Sequence, residues 1–197
     1  MEDAAAGDWG LLSPRLCQQL VAPAVSTRSL LAVLALPHLL YAFVWLKPRI
    51  WRQTFGKQSV PIFAWTGAAG KALQFISVFL WVWSSQPTGV CPRTPLSVWQ
   101  VLLAGVLVGY GQALNIGTYR AIGVTGVYYG VRLGRNVPWV TAWPFSHISH
   151  PQYVGSAITV WGMLVLLHAA MPHPQALLTA VYWTGLYVMS GIVEDRF

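Results

Sequence analysis

The chain has 197 residues, of which 55% are hydrophobic and 9% charged, with a formal net charge of +7 and a mean hydropathy of +0.53. These values exclude an ordinary soluble globular domain. The basic excess does not point to nucleic acid, because Lys and Arg fall between apolar segments instead of along one aromatic-interleaved stripe; basic loops held against anionic headgroups account for it.

In chain order, Met1 to Gly10 carries Glu2, Asp3 and Asp8 but no Lys or Arg. That differs from a secretory n-region and from an Arg-rich transit peptide, so no cleaved targeting segment is expected. Cys17 and Cys91 form neither a metal-like spacing nor a disulfide framework and read as bystanders. Residues 1–28 read as an N-terminal segment, and residues 29–197 as one membrane-embedded domain without internal repeats.

The expected fold class is an all-α integral membrane protein, since bilayer-spanning backbone must satisfy its own polar groups and no barrel-type alternation is present. Four to five transmembrane or intramembrane helices are predicted, ending in a helical hairpin. The first covers about Ser29 to Leu46, with Pro37 inside it, which suits a kinked or re-entrant segment. The second spans about Val60 to Trp83, interrupted by Lys71, and the third, glycine-rich, about Leu96 to Ile122. After the long stretch 123–152 come Val154 to Ala170 and Gln175 to Val193, with Pro172 and Pro174 between them arguing against one continuous helix.

Lys and Arg alternate by loop: Lys47, Arg49, Arg52 and Lys57 after the first segment, Arg93 after the second, Arg120, Arg132 and Arg135 after the third, none in the hairpin turn, and Arg196 at the end. The positive-inside bias therefore places the first loop, the long stretch and the C-terminal tail together on the cytosolic side.

No Asp or Glu occurs between Asp8 and Glu194. Glu194 and Asp195 then follow an apolar segment, in a place the helix dipole disfavours. Either they mark where the helix leaves the membrane, or they hold a positive partner such as Arg196 or a ligand cation. Gly105 and Gly109 make a GxxxG, commonly a helix-packing device. Gly109, Tyr110 and Gly111 make a GxG in which bare backbone lets a bulky ligand approach a helix. The stretch from Tyr128 to Tyr153 gathers Arg132, Arg135, Trp139, Trp143, His147 and His150. It reads either as an interfacial aromatic belt, or as a headgroup site in which arginines take a phosphate and aromatic faces an ammonium. His147 and His150 do not resemble a metal site.

The order GYG, twelve residues, VTGVYYGVRLGRNVPWVTAWPFSHISHPQYVGS, a helical hairpin and VED resembles the phospholipid N-methyltransferases, most of all the branch acting on phosphatidyl-N-methylethanolamine. The similarity covers about Phe43 to Asp195. The resemblance implies an endoplasmic-reticulum enzyme that moves methyl groups from S-adenosylmethionine to a phospholipid amine, ending at phosphatidylcholine. It also implies that Gly109, Tyr110, Gly111, Glu194 and Asp195 bind the donor. The pair here is Glu-Asp where some members carry Glu-Glu. Expected substrate contacts are Arg132, Arg135, Trp139, Trp143 and Tyr153; His147, His150 and Asp195 are the candidate acceptors of the amine proton; no metal is expected. Two other readings fit parts of the pattern, an isoprenylcysteine carboxyl methyltransferase-like enzyme and a non-catalytic lipid-binding membrane protein.

Overall fold

A computed structural model describes residues 25–84, 96–167 and 173–196; Cys17, Cys91, Arg93 and Pro172 lie outside them. Ser26 opens α1 (Thr27–Leu46) by accepting a hydrogen bond from the Ser29 amide, as an N-cap does. The helix continues through Pro37 and, at 20 residues, is long enough to cross. Where a basic loop is expected, a short helix follows: α2 (Pro48–Phe55), with proline in its first turn. It buries Trp51, whose indole donates to the Ser59 carbonyl at 2.9 Å, and leaves Arg49 and Arg52 exposed.

A single 3₁₀ turn, Gly56–Gln58, leads into α3 (Ser59–Ser84). α3 meets α1 through Gly67 and Gly70. An added Cβ at Gly70 would come 2.9 Å from the Pro37 ring, and one at Gly67 2.7 Å from the Tyr128 ring. α4 (Val98–Val127) begins with a capping box in which Ser97 and Gln100 satisfy each other's amides. Its straight part ends at Gly123, whose φ of +63° only glycine adopts freely; this is the expected end of the third segment.

The predicted hairpin is α5 (Pro151–Leu167) and α6 (His173–Arg196), packed on each other with Trp161 Nε1 donating to Thr184 Oγ1 at 3.0 Å. Pro174 lies in the first turn of α6, where its missing N–H removes no helical bond. α6 runs three residues beyond the expected boundary, so Glu194 and Asp195 belong to its last turn instead of following it. By length and composition four helices are long and apolar enough to cross a membrane: α1, the run containing α3, α4 and α6; α5 is a shorter apolar helix.

Two apolar clusters fill the bundle. One holds Leu30, Leu34, Trp81, Val160 and Trp183; the other, at the end carrying the basic loops, holds Val44, Trp51, Phe63, Tyr128, Tyr129 and Leu133. Between them along α1 and α3 lie His38, Lys71 and Gln74. An intramembrane lysine costs roughly 3 kcal/mol on insertion scales, so this layer asks for a reason. Large apolar side chains such as Trp65, Val106 and Phe79 face outward, as a lipid-facing surface requires.

Candidate functional site

The acidic pair is gathered by three elements at the basic end of the bundle. The Glu194 carboxylate accepts hydrogen bonds from the hydroxyls of Tyr129 and Tyr153, and those two hydroxyls lie 3.0 Å apart. Tyr153 comes from the first turn of α5, and Tyr129 from the segment that reverses after α4. Tyr129 adopts φ +56°, a left-handed conformation rare outside glycine, and such a strained backbone persists where its surroundings over-determine it. Tyr41, Trp45 and Phe63 surround its ring. Burial, then the neighbouring Tyr153 and Glu194, push the Tyr129 phenol well above its ordinary pKa. It therefore remains a hydrogen-bond donor to the carboxylate at any physiological pH.

His150 is the side chain that both acids meet. Its Nε2 lies 2.9 Å from Asp195 Oδ1, and its Nδ1 lies 3.7 Å from Glu194 Oε2. The ring stacks on Tyr153, with centroids 5.8 Å apart and planes 23° apart. Asp195 is 68% exposed and Glu194 only 15%, so the two acids differ in setting: one meets water, the other faces a cavity. That cavity, about 90 Å³, is lined by Thr118, Ile122 and Gly126 of α4 together with Phe145, Tyr129 and Glu194.

The two glycines of GYG point different ways, as residues two apart on a helix must. Gly111 is buried against α5: an added Cβ would meet Gly155 O, and Thr159 Oγ1 at 2.5 Å. Gly109 is exposed, with nothing within 4 Å of its notional Cβ, and Tyr110 is half exposed. Gly105 is equally open, so within this chain the Gly105–Gly109 face packs against no described residue. Gly111 and Glu194 share the start of α5 as a common neighbour, through Gly155 and Tyr153 respectively.

The remaining expected residues divide. His147 is exposed and bonds Ser146 instead of a carboxylate. Arg132 stacks over Trp45, 4.4 Å from the ring centroid, and donates to the Trp45 carbonyl; Arg135 donates to the Lys57 carbonyl. Both guanidiniums thus brace the segment after α4 against the end of α1 and the turn after α2. Trp143 lies against Gly117 of α4, and Trp139 is 92% exposed. Tyr129 and Lys71, absent from the expected site, are brought into it or beside it. For Lys71 a signal existed, an ionisable residue inside an apolar run. For Tyr129 none did, because its role depends on a backbone reversal.

A bundle of apolar helices with a buried carboxylate, two phenols and an imidazole at one end defines an integral membrane protein with an enclosed polar site. The family model for phospholipid methyltransferases matches residues 99–197. The chain is 36% identical over 163 residues to a phosphatidyl-N-methylethanolamine N-methyltransferase of Arabidopsis thaliana, covering 82% of this chain and 87% of that one. It is 33% identical over 92 residues to a phosphatidylethanolamine N-methyltransferase of Rattus norvegicus, 46% of this chain and 44% of the relative. No solved structure matches. The chain belongs to the phospholipid methyltransferase family, and it is an enzyme of phospholipid methylation.

Proposed function

We propose that this enzyme methylates phosphatidyl-N-methylethanolamine, giving the dimethyl lipid and then phosphatidylcholine, with S-adenosylmethionine as donor. The reaction is placed in the endoplasmic-reticulum membrane, with the donor side facing the cytosol. The observation that carries the reading is Glu194: a carboxylate on a cavity wall, fixed by Tyr129 and Tyr153 and faced by His150. That arrangement suits a cationic polar ligand at the mouth of an apolar bundle. The donor would supply an electrophilic methyl carbon on a sulfonium: an amine lone pair bonds to that carbon as its C–S bond breaks, and the sulfur leaves as a neutral thioether. Glu194, with Gly109, Tyr110, Gly111 and Asp195, is assigned to holding it.

The chain must also strip the accepting amine of its proton. An alkylammonium with a pKa near that of lysine, about 10.4, costs about 5 kcal/mol to deprotonate at neutral pH. His150 is placed for this. With Nε2–H donated to Asp195 Oδ1, Nδ1 is the free acceptor on the Glu194 side; once protonated, the imidazolium lies between two carboxylates that stabilise it. Asp195 then orients the ring, as the acid of a histidine dyad does. Tyr153 and Trp143 supply aromatic faces for an ammonium that can no longer donate a hydrogen bond.

His150→Gln is expected to lower kcat by about 10²-fold, the usual scale for one general base. His147→Gln should stay within twofold of wild type. Equal losses in the two variants, measured by pH–rate profiles in detergent, would remove His150 from proton transfer. The reaction itself is tested by feeding membranes labelled donor with unmethylated or monomethylated lipid separately. Label is expected in dimethyl lipid and phosphatidylcholine when the monomethyl lipid is supplied. Label in protein instead of lipid would indicate an isoprenylcysteine-type carboxyl methyltransferase.

A further inference from the structure

Lys71 is the 13th residue of the 26-residue helix α3, about 18 Å along the axis from the Ser59 end at 1.5 Å per residue. Its ammonium donates to the Tyr187 hydroxyl and lies 4.6 Å from the centroid of that ring. Among the described residues no carboxylate pairs with it, since Glu194 and Asp195 are engaged by His150. An intramembrane cation kept without a counter-ion marks a functional place, and an ammonium has three donors, of which Tyr187 takes one.

A cavity of about 240 Å³ lies beside it, with Lys71, Gln112, Asn115, Gln152 and Ser156 on its polar side. That is roughly eight water volumes of about 30 Å³. Phe75, itself exposed on the outer surface, and Met163 give it an apolar side. Asn115 and Ser156 bond each other and Gln112 bonds Thr159, but the Gln152 side chain has no partner among the described residues. A smaller adjoining cavity is lined by Lys71, Tyr153 and His38. His38 is 4% exposed, and its Nε2 lacks a hydrogen bond among the described residues. The buried His38 Nε2 and the half-buried Gln152 amide, both unpaired among the described residues beside an uncompensated cation, are what an absent ligand would satisfy.

Gln152 lines all three cavities, and Tyr153 lines the smaller of the pair and the one that Glu194 faces. Tyr187 lies seven positions before Glu194 on α6, about 10 Å of helix. One polar seam therefore has carboxylates at its outer end and an ammonium at its inner end. That polarity matches a zwitterion entering with its amine toward Glu194 and His150 and its anionic group toward Lys71.

We infer that Lys71, assisted by Gln152 and His38, binds the phosphodiester of the phospholipid headgroup inside the bundle. This rests on the reading of the chain as a lipid amine methyltransferase. It assigns the phosphate away from Arg132 and Arg135, whose guanidiniums hold main-chain carbonyls. The apolar flank by Phe75 accommodates what is attached to a lipid phosphate, and a water-soluble donor's carboxylate has no such attachment.

The test uses purified full-length enzyme in mixed micelles. In Lys71→Gln the KM for monomethyl phospholipid is expected to rise at least tenfold, with the donor KM unchanged and substantial recovery in Lys71→Arg. A long-chain N-methylamino alcohol lacking the phosphate should be used at least tenfold less well than the phospholipid by wild type, and equally by Lys71→Gln. Calorimetric binding of short-chain phosphatidylcholine should weaken in parallel, which an effect on chemistry alone would not produce. A raised donor KM with unchanged lipid KM would overturn the inference in favour of the donor's carboxylate. Unchanged values for both would assign Lys71 to packing. If wild type methylates no lipid, the underlying reading fails instead.

Discussion

Glu194→Gln is expected to lower methyl transfer to lipid roughly 100-fold in kcat/KM, about 2.7 kcal/mol at 1.36 kcal/mol per tenfold, while the protein still accumulates in membranes. The substitution removes a charge and reverses a hydrogen-bond direction. A carboxylate accepts from both phenols at once and retains lone pairs and a negative charge for the cavity. Glutamine keeps the volume but offers one acceptor oxygen and places an N–H₂ donor among hydroxyls that were all donating. The phenols can rotate to bond it, so the fold survives; the charge that holds a cation does not. Glu194→Asp keeps the charge on a shorter stem that no longer reaches the Tyr129 and Tyr153 hydroxyls together, and should retain more activity than Gln but less than wild type. Asp195→Asn, at a 68% exposed position whose contact is with His150, should lose less than Glu194→Gln and should change the pH profile more than the donor KM. Radiolabelled donor assays on matched membrane preparations decide; full activity in Glu194→Gln would remove this residue from the site.

The helical architecture was legible because apolar run length and basic loop alternation are one-dimensional signals, and α1, α3, α4 and the α5–α6 hairpin fall close to where those signals place them. α2 was not, since eight residues with two arginines among them carry no span signal, and they form a helix because Trp51 packs on Phe63 and Phe55 packs on Trp51. The acidic pair stood out in a chain otherwise without carboxylates up to Asp8, but its neighbours did not. His150 and His147 are three apart and equivalent on paper. Only the start of α5 at Pro151, which sets His150 on the α6 side, separates them. Arg132 and Arg135 likewise looked like phosphate ligands by type and proximity to aromatics, whereas their geometry is fixed by the carbonyls of Trp45 and Lys57, 87 and 78 residues away in sequence. Non-local closure of this kind leaves no trace in spacing.

Gly111→Leu and Gly109→Leu should part company, and the difference separates the two roles that one GYG motif carries. A side chain at Gly111 projects into α5 backbone: its first carbon already meets Gly155 O, and Thr159 Oγ1 at 2.5 Å. Close approach through small residues is how helices associate where lipid removes the hydrophobic drive, and overpacking a tight contact costs about 1–3 kcal/mol or more. Here the obstruction is main chain, which cannot turn aside, so the α4–α5 contact must open and carry with it Tyr153, one of the two phenols on Glu194. Gly111→Leu should therefore accumulate at a small fraction of wild-type level, with no activity in what remains. Gly109 lies two residues before Gly111, hence on another side of α4. Its own surroundings are open. Gly109→Leu should accumulate normally and raise the donor KM several-fold by covering the bare backbone that is assigned to the donor. Quantitative blotting of membranes, followed by donor titration, tests both. Equal accumulation of the two variants would show that Gly111 is not the seat of α5, and an unaltered donor KM in Gly109→Leu would confine the motif's contribution to packing, leaving Glu194 to hold the sulfonium ligand without help from α4.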